Sequence, residues 1–316
     1  MYAIALDVLP VFIMIFIGYA IVRFGVLRPE IGDALGEFVF NVSMPALLFR
    51  TLAEAEVGGQ SPWLIWVAYF GGVAVTWAAG HLVVTRVFGL DERVGVLAGV
   101  SSAFANNLFI GLPLVQRVVG EQGVVAITIL ISAHLPVMMV AGTLLMERAE
   151  RRMNGKAAGH SLGQILRQVG RNLIRNPLVV GIVLGAFVRV TGLPFGGMAK
   201  TIVDQIGGIA GAAALISLGM ALRKYGVSDG IRPALVTSTF KLLLLPAMVL
   251  AMSRLIGLSA NWEAGLVLTS SVPTGINAWL IANRFGVGQG LASSSITITT
   301  ALGVVTVTLW AWLVGG

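Results

Sequence analysis

The sequence predicts an all-α polytopic membrane protein, with ten transmembrane helices arranged as a 5+5 inverted repeat and two of those helices broken at mid-membrane. Three observations predict it. The 316-residue chain is 57% hydrophobic and only 11% charged, whereas a soluble domain carries about 25% charged residues. Apolar stretches close to the ~20 residues needed to cross a bilayer recur along its whole length. Finally, polar and helix-breaking residues sit halfway along two of those stretches. Hydrocarbon tolerates such residues only where they line a cavity or are buried against protein.

Ten spans follow in order: 4–23, 32–52, 62–86, 94–117, 122–146, 175–191, 199–222, 232–255, 262–284 and 289–313. The opening "MYAIALDVLPVFIMIFIGYAIVRFG" has no basic leader and carries Asp7, so it reads as a retained first span rather than a cleaved signal. Span two contains "NVSMPALLF", and span three opens on Trp63 and Trp66. Span four contains "SSAFANNL", and span five contains "SAHLP". A polar, basic loop at 147–174 separates the halves. Span six opens the second half with "NPLVVGIVLG"; span seven carries Asp204 near one end, expected in interfacial water. Span eight carries Lys241, span nine carries "SSVPTGIN", and span ten ends near Trp310.

Composition also excludes chemistry. With no cysteine, disulfide scaffolds, thiolate metal sites and cysteine nucleophiles are ruled out. His81, His134 and His160 are too scattered for a metal cluster, and no metal, cofactor or catalytic residue is expected. The net charge of +7 gathers mainly in the 147–174 loop, a membrane-topology signature rather than a nucleic-acid footprint. Fifteen bases lie in loops after odd-numbered spans. Five (Arg50, Arg117, Arg189, Lys200 and Arg254) lie after even-numbered ones. The odd loops are therefore expected in the cytoplasm and both termini outside.

An offset of 167 residues exposes the repeat. "LPVFIMIFIGYAIVRFG" (9–25) lies over "NPLVVGIVLGAFVRVTG" (176–192), matching Pro10, Gly18 and Gly25 to Pro177, Gly185 and Gly192. "RVVGEQG" (117–123) lies over "RFGVGQG" (284–290), and after a small slip "SSAFANNL" (101–108) meets "SSVPTGIN" (270–277). Residues 1–146 and 175–316 thus form two units of five spans. An odd number of spans per unit forces the two to enter the membrane from opposite sides, as secondary transporters do with substrate held at discontinuous helices.

In span nine Pro273 removes a backbone donor, and Gly275 tolerates unwound dihedrals. Two such segments at mid-membrane present half-helix N-termini, suited to a carboxylate, with Asn106, Asn107, Thr274 and Asn277 adding uncharged donors and acceptors. Ser102, Ala105, Pro113, Ser270 and Ser271 flank these positions. The competing account is ordinary interhelical packing of polar residues around proline kinks.

On "NPLVVGIVLG", "ANNLFIGLPLV" and "SVPTGINAWLIANRFG" the whole chain resembles the auxin efflux carrier family, which contains plant auxin exporters and bacterial permeases for organic anions. The resemblance implies a scaffold of spans one, two, six and seven, often dimeric. It also implies a mobile transport domain of spans three to five and eight to ten, working as an elevator in the bacterial inner membrane. By position it assigns Asn106 as the first-crossover amide, Pro113 as the proline after it and Pro273 as the second-crossover proline. Ala105 stands where the plant pattern has proline, and the short central loop resembles the bacterial members.

Other residues carry alternatives. Asn41, Ser43 and Pro45 either wall the pocket or form a locally satisfied kink. His134, with Ser132 beside it, either meets a substrate carboxylate and shuttles protons or is a buried, satisfied histidine. Lys241 either anchors an unwound carbonyl in place of a coupling cation, attracts anions, or snorkels to the surface. Trp63, Trp66, Trp262 and Trp310 fit interfacial belts. The 147–174 segment either touches anionic lipid through "SLGQILRQVGRNLI" or is solvated. The expected function is secondary transport of a small mono- or dicarboxylate, auxin-like or malate-like, without enzymatic activity. A cation/proton antiporter needs a crossover carboxylate that neither cluster has. An intramembrane hydrolase needs a base beside its nucleophile, which only His134 or Lys241 offers.

Overall fold

A computed structural model describes residues 2–55, 61–154, 162–226 and 231–315. Every regular element among the described residues is helical. In chain order they are α1 (Tyr2–Arg23), α2 (Pro29–Ala53), α3 (Trp63–Arg86), α4 (Glu92–Ala103), α5 (Leu112–Val118), α6 (Glu121–Asn154) and α7 (Leu162–Arg175). They continue as α8 (Pro177–Thr191), α9 (Gly197–Leu222), α10 (Ile231–Leu255), α11 (Ala260–Ser271), α12 (Asn277–Phe285) and α13 (Gln289–Gly315).

Seven of these (α1, α2, α3, α6, α9, α10 and α13) are long and apolar enough to cross a membrane. The 15-residue α8 is apolar but shorter. The other two hydrophobic stretches are each divided in two. Their first pieces, α4 and α11, have 12 residues each, a rise of about 18 Å at ~1.5 Å per residue. That is little more than half of a ~30 Å hydrocarbon core.

The 147–174 segment is not loop where it is described. α6 continues through Glu147 to Asn154, and α7 takes up "LGQILRQVGRNLIR" as a strongly amphipathic helix. His160 and Lys156 lie outside the described residues.

Packing follows the repeat. α1 lies along α9, and α2 lies along α8. Both contacts depend on glycine. A Cβ on Gly18 would stand 2.2 Å from the Ile216 carbonyl oxygen, and one on Gly185 would stand 2.3 Å from that of Phe49. Ile216 follows Phe49 by 167 residues, as Gly185 follows Gly18 (216 − 49 = 185 − 18).

Among the described residues three π-helical turns interrupt the regular geometry: Val39–Ser43 in α2, Asn107–Gly111 before α5 and Phe240–Leu244 in α10. Each ends two residues before a proline: Pro45, Pro113 and Pro246. Proline has no N–H and its ring crowds the carbonyl four residues earlier, so the turn ahead of it widens. For Pro246 the orphaned carbonyl is that of Leu242, and Trp310 Nε1 donates to it at 2.8 Å. This corrects the interfacial reading of Trp310, which is buried with its indole N–H paired to a freed backbone carbonyl. Trp262 is buried as well, whereas Trp63 is exposed, edge-on to Trp66 at 4.8 Å.

Ion pairs mark the two ends of the α2–α9 region. Arg50 meets Asp204 (3.5 Å), and Lys200 pairs with Glu54 and Asp204 at one end. Lys224 holds Asp33 at the other.

Candidate functional site

α4 stops at Ala103 and α11 at Ser271, and the segments that follow pass each other antiparallel. The Asn106 N–H donates to the Pro273 carbonyl (3.0 Å), and the Gly275 N–H donates to the Phe104 carbonyl (2.8 Å). Between these bonds Ala105 faces Thr274 as an isolated antiparallel bridge. Setting "SSAFANNL" over "SSVPTGIN" puts Phe104 over Pro273, Ala105 over Thr274 and Asn106 over Gly275. Exchanging the two segments therefore exchanges the two hydrogen bonds.

The causes of the two breaks differ. Pro273 pushes the residue before it out of the helical region, and Val272 is extended at φ −67°, ψ 160°. The α4 side has no proline. There Phe104 is already extended (φ −89°, ψ 91°), and at Asn106 (φ −79°, ψ 64°) the side-chain oxygen accepts from the Phe109 N–H at 3.4 Å, capping the next turn.

Ending a helix inside apolar surroundings strands its last carbonyls. Here each half-helix receives different donors. Thr274 Oγ1 donates to the Ser101 carbonyl (2.9 Å), while the Thr274 N–H donates to Thr299 Oγ1 (3.0 Å). On α11, Lys241 Nζ donates to the carbonyls of Ser270 (2.6 Å) and Val272 (2.5 Å). Lys241 is 0% exposed, so it does not snorkel; it anchors the unwound segment.

A cavity of about 450 Å³ opens beside the crossing. One wall runs from Phe104 through Ala105, Asn106 and Asn107 to Phe109, continuing with His134, Ile276 and Asn277. The opposite wall comes from Gly36 and Phe40 of α2 and from Ser217 and Leu218 of α9. Asp33 stands at its rim, with Lys224 Nζ 2.5 and 2.7 Å from its two carboxylate oxygens. Asn106 and Asn277 line this space, and among the described residues neither the Asn106 Nδ2 nor the Asn277 side chain has a hydrogen-bond partner. Both residues stand at the start of a second half-helix, where backbone N–H groups lack intrahelical acceptors.

The other expected residues divide by task. Asn107 lines the cavity, but its amide is held from behind: Thr269 Oγ1 donates to Oδ1 (3.0 Å) and Nδ2 donates to the Tyr69 hydroxyl (3.1 Å). Pro273, Thr274 and Gly275 build the crossing and do not wall the cavity. Ser102, Ser132, Ser270 and Ser271 bond carbonyls of their own helices (Ala98, Ile129, Val267 and Leu268). His134 packs edge-on to Tyr69 and Phe104 at 5.4 and 5.1 Å, and its buried Nε2 has no partner among the described residues. Pro113 is buried in α5. Asn41 is exposed and bonds the Glu37 carbonyl (2.9 Å), Ser43 is buried with its hydroxyl unpartnered, and neither they nor Pro45 line the cavity.

Phe104, Tyr69, Thr269 and Thr299 were not singled out in the sequence. The threonines and Tyr69 carry a signal there, since each is a hydroxyl inside an apolar span.

With this geometry in view, residues 3–311 match the family model described as a membrane transport protein. The chain belongs to that family. It is the family that the three sequence motifs resemble, and it makes this an integral membrane protein of transport type. Among similar curated proteins, an "Uncharacterized transporter" of Methanothermobacter thermautotrophicus is 27% identical over 311 residues, 96% of each chain. Another, from Methanocaldococcus jannaschii, is 25% identical over 316 residues, 97% of each chain. A Rhizobium meliloti protein named "Putative malonate transporter" is 25% identical over 317 residues, 97% of this chain and 94% of that one.

Proposed function

We propose that this protein is a secondary carrier for a small organic anion, a mono- or dicarboxylate, bound in the cavity beside the crossing. The observation that carries the reading is the pair of amides at one cavity, each at the start of a half-helix: Asn106, whose Nδ2 has no partner among the described residues, and Asn277, whose side chain has none. Helix N-termini attract negative charge, and the amides add donors with no fixed charge to neutralise an anion outright. The Rhizobium relative named for malonate, a dicarboxylate, fits the same substrate class.

The architecture proposed is ten spans in a 5+5 inverted repeat. The seven long helices and α8 supply eight of them, and α4–α5 and α11–α12 supply the two broken ones. The exchangeable bonds at the crossing and the matched Gly18 and Gly185 contacts support the repeat. The scaffold is α1, α2, α8 and α9, through which two copies associate, and the remaining spans move against it as an elevator. The excess of bases after odd spans supports a cytoplasmic position for the Asp33–Lys224 end. The cavity rim then faces inward, and both termini face outward.

The test is uptake into proteoliposomes from a panel of carboxylates, with and without sodium or proton gradients. Asn106→Ala and Asn277→Ala are expected to weaken uptake of every accepted substrate. Unchanged uptake by both variants sinks the proposed site.

A further inference from the structure

We propose that Lys241 is a built-in cation of the crossing: its ammonium takes the place that a bound alkali cation would fill at the end of α11, so the carrier needs no sodium ion there. The inference rests on the carrier reading above. Unwound carbonyls and half-helix C-terminal ends are where transporters of this general design coordinate coupling cations, because such ends carry partial negative charge. In this protein the Ser270 and Val272 carbonyls form that end, and Nζ lies 2.6 and 2.5 Å from them. The side chain is fully buried.

Three further features separate this from an incidental hydrogen bond. The π turn Phe240–Leu244 contains Lys241, so the helix is deformed where the ammonium is delivered. The carbonyl left open by that deformation, on Leu242, is closed by Trp310 instead. Finally, among the described residues the donors to the opposite half-helix, α4, at Ser101 and Phe104 are neutral. A single fixed charge therefore serves the crossing from the second repeat alone.

The experiment uses purified full-length protein and variants, unfolded thermally in sodium, ammonium or choline chloride at equal ionic strength. Wild type is expected to unfold at one temperature in all three. Lys241→Ala opens room for a small cation. Its midpoint is expected to fall in choline and to recover by about 3 °C or more in ammonium or sodium, saturably. Lys241→Met fills the same space without charge, and its lowered midpoint is expected to ignore the cation. A role in packing alone would instead favour Met over Ala whatever the salt.

The proposal is overturned if sodium stabilises wild type over choline, or if Lys241→Ala responds to no small cation. Should neither variant fold, the wild-type comparison still decides. No substrate enters this measurement, so a failed carboxylate panel leaves its outcome readable. For any carboxylate the panel accepts, wild-type uptake is expected to be the same in sodium as in choline, and Lys241→Ala uptake in choline to fall about tenfold. A wild-type fall in choline also overturns the proposal.

Discussion

The backbone N–H of Asn106 donates to the carbonyl of Pro273, and it is the counterpart of the bond from Gly275 to Phe104. Two segments more than half the chain apart thus end each other's helices. Thr274 reinforces the joint by donating its hydroxyl to the Ser101 carbonyl. Thr274→Val keeps the shape and removes that donor, leaving a buried carbonyl unpaired. A loss of about 1–2 kcal/mol is expected, read as a lower unfolding midpoint. An unchanged midpoint means the bond contributes nothing.

Asn106 and Asn107 are adjacent, yet they should fail differently. The amide of Asn107 is engaged by Thr269 and Tyr69, so Asn107→Ala should cost about 1–3 kcal/mol of stability for its two buried bonds, read as a lower unfolding midpoint. The Asn106 Nδ2 is free at the cavity. Asn106→Ala should therefore raise the half-saturating substrate concentration by about tenfold, with a smaller effect on stability. The reverse pattern would reassign the cavity amide to Asn107.

His134 presents a buried Nε2 with no partner among three aromatic rings. His134→Phe removes an unsatisfied polar atom at similar ring size, so stability should hold or rise by up to about 1 kcal/mol, read as an unchanged or higher unfolding midpoint. A clear drop would mean that the imidazole has a partner when the protein is in a membrane.

How much of this was legible in the sequence depends on range. The hydrophobic stretches and the break at Pro273 are local, and they read directly. The partners of Asn107 are not local: Thr269 lies 162 residues away and Tyr69 lies 38 away. Nothing in a periodic pattern links them. Lys241 could be placed along its helix by counting, but counting does not say which face it occupies, so anchoring and snorkelling looked alike. Trp310 was misread for a related reason. Proximity to a span end suggests an interface, whereas the partner of its indole N–H is a carbonyl freed by Pro246, in another helix.

Gly18 and Gly185 give the repeat a test independent of the crossing. An added methyl at either position would lie inside contact distance of a backbone oxygen on the facing helix, where no side chain can yield. The helices of the pair must then separate. Gly18→Ala disturbs α1 against α9, and Gly185→Ala disturbs α8 against α2. If the two contacts are equivalent by an inverted repeat, their costs should match within about 0.5 kcal/mol, each being about 1–3 kcal/mol, the usual range for overpacking. Thermal unfolding of the two single variants measures this. Near-additivity in the double variant is expected as well, since the altered sites share no contact partner. Unequal single costs would show that the likeness between the halves does not extend to their packing.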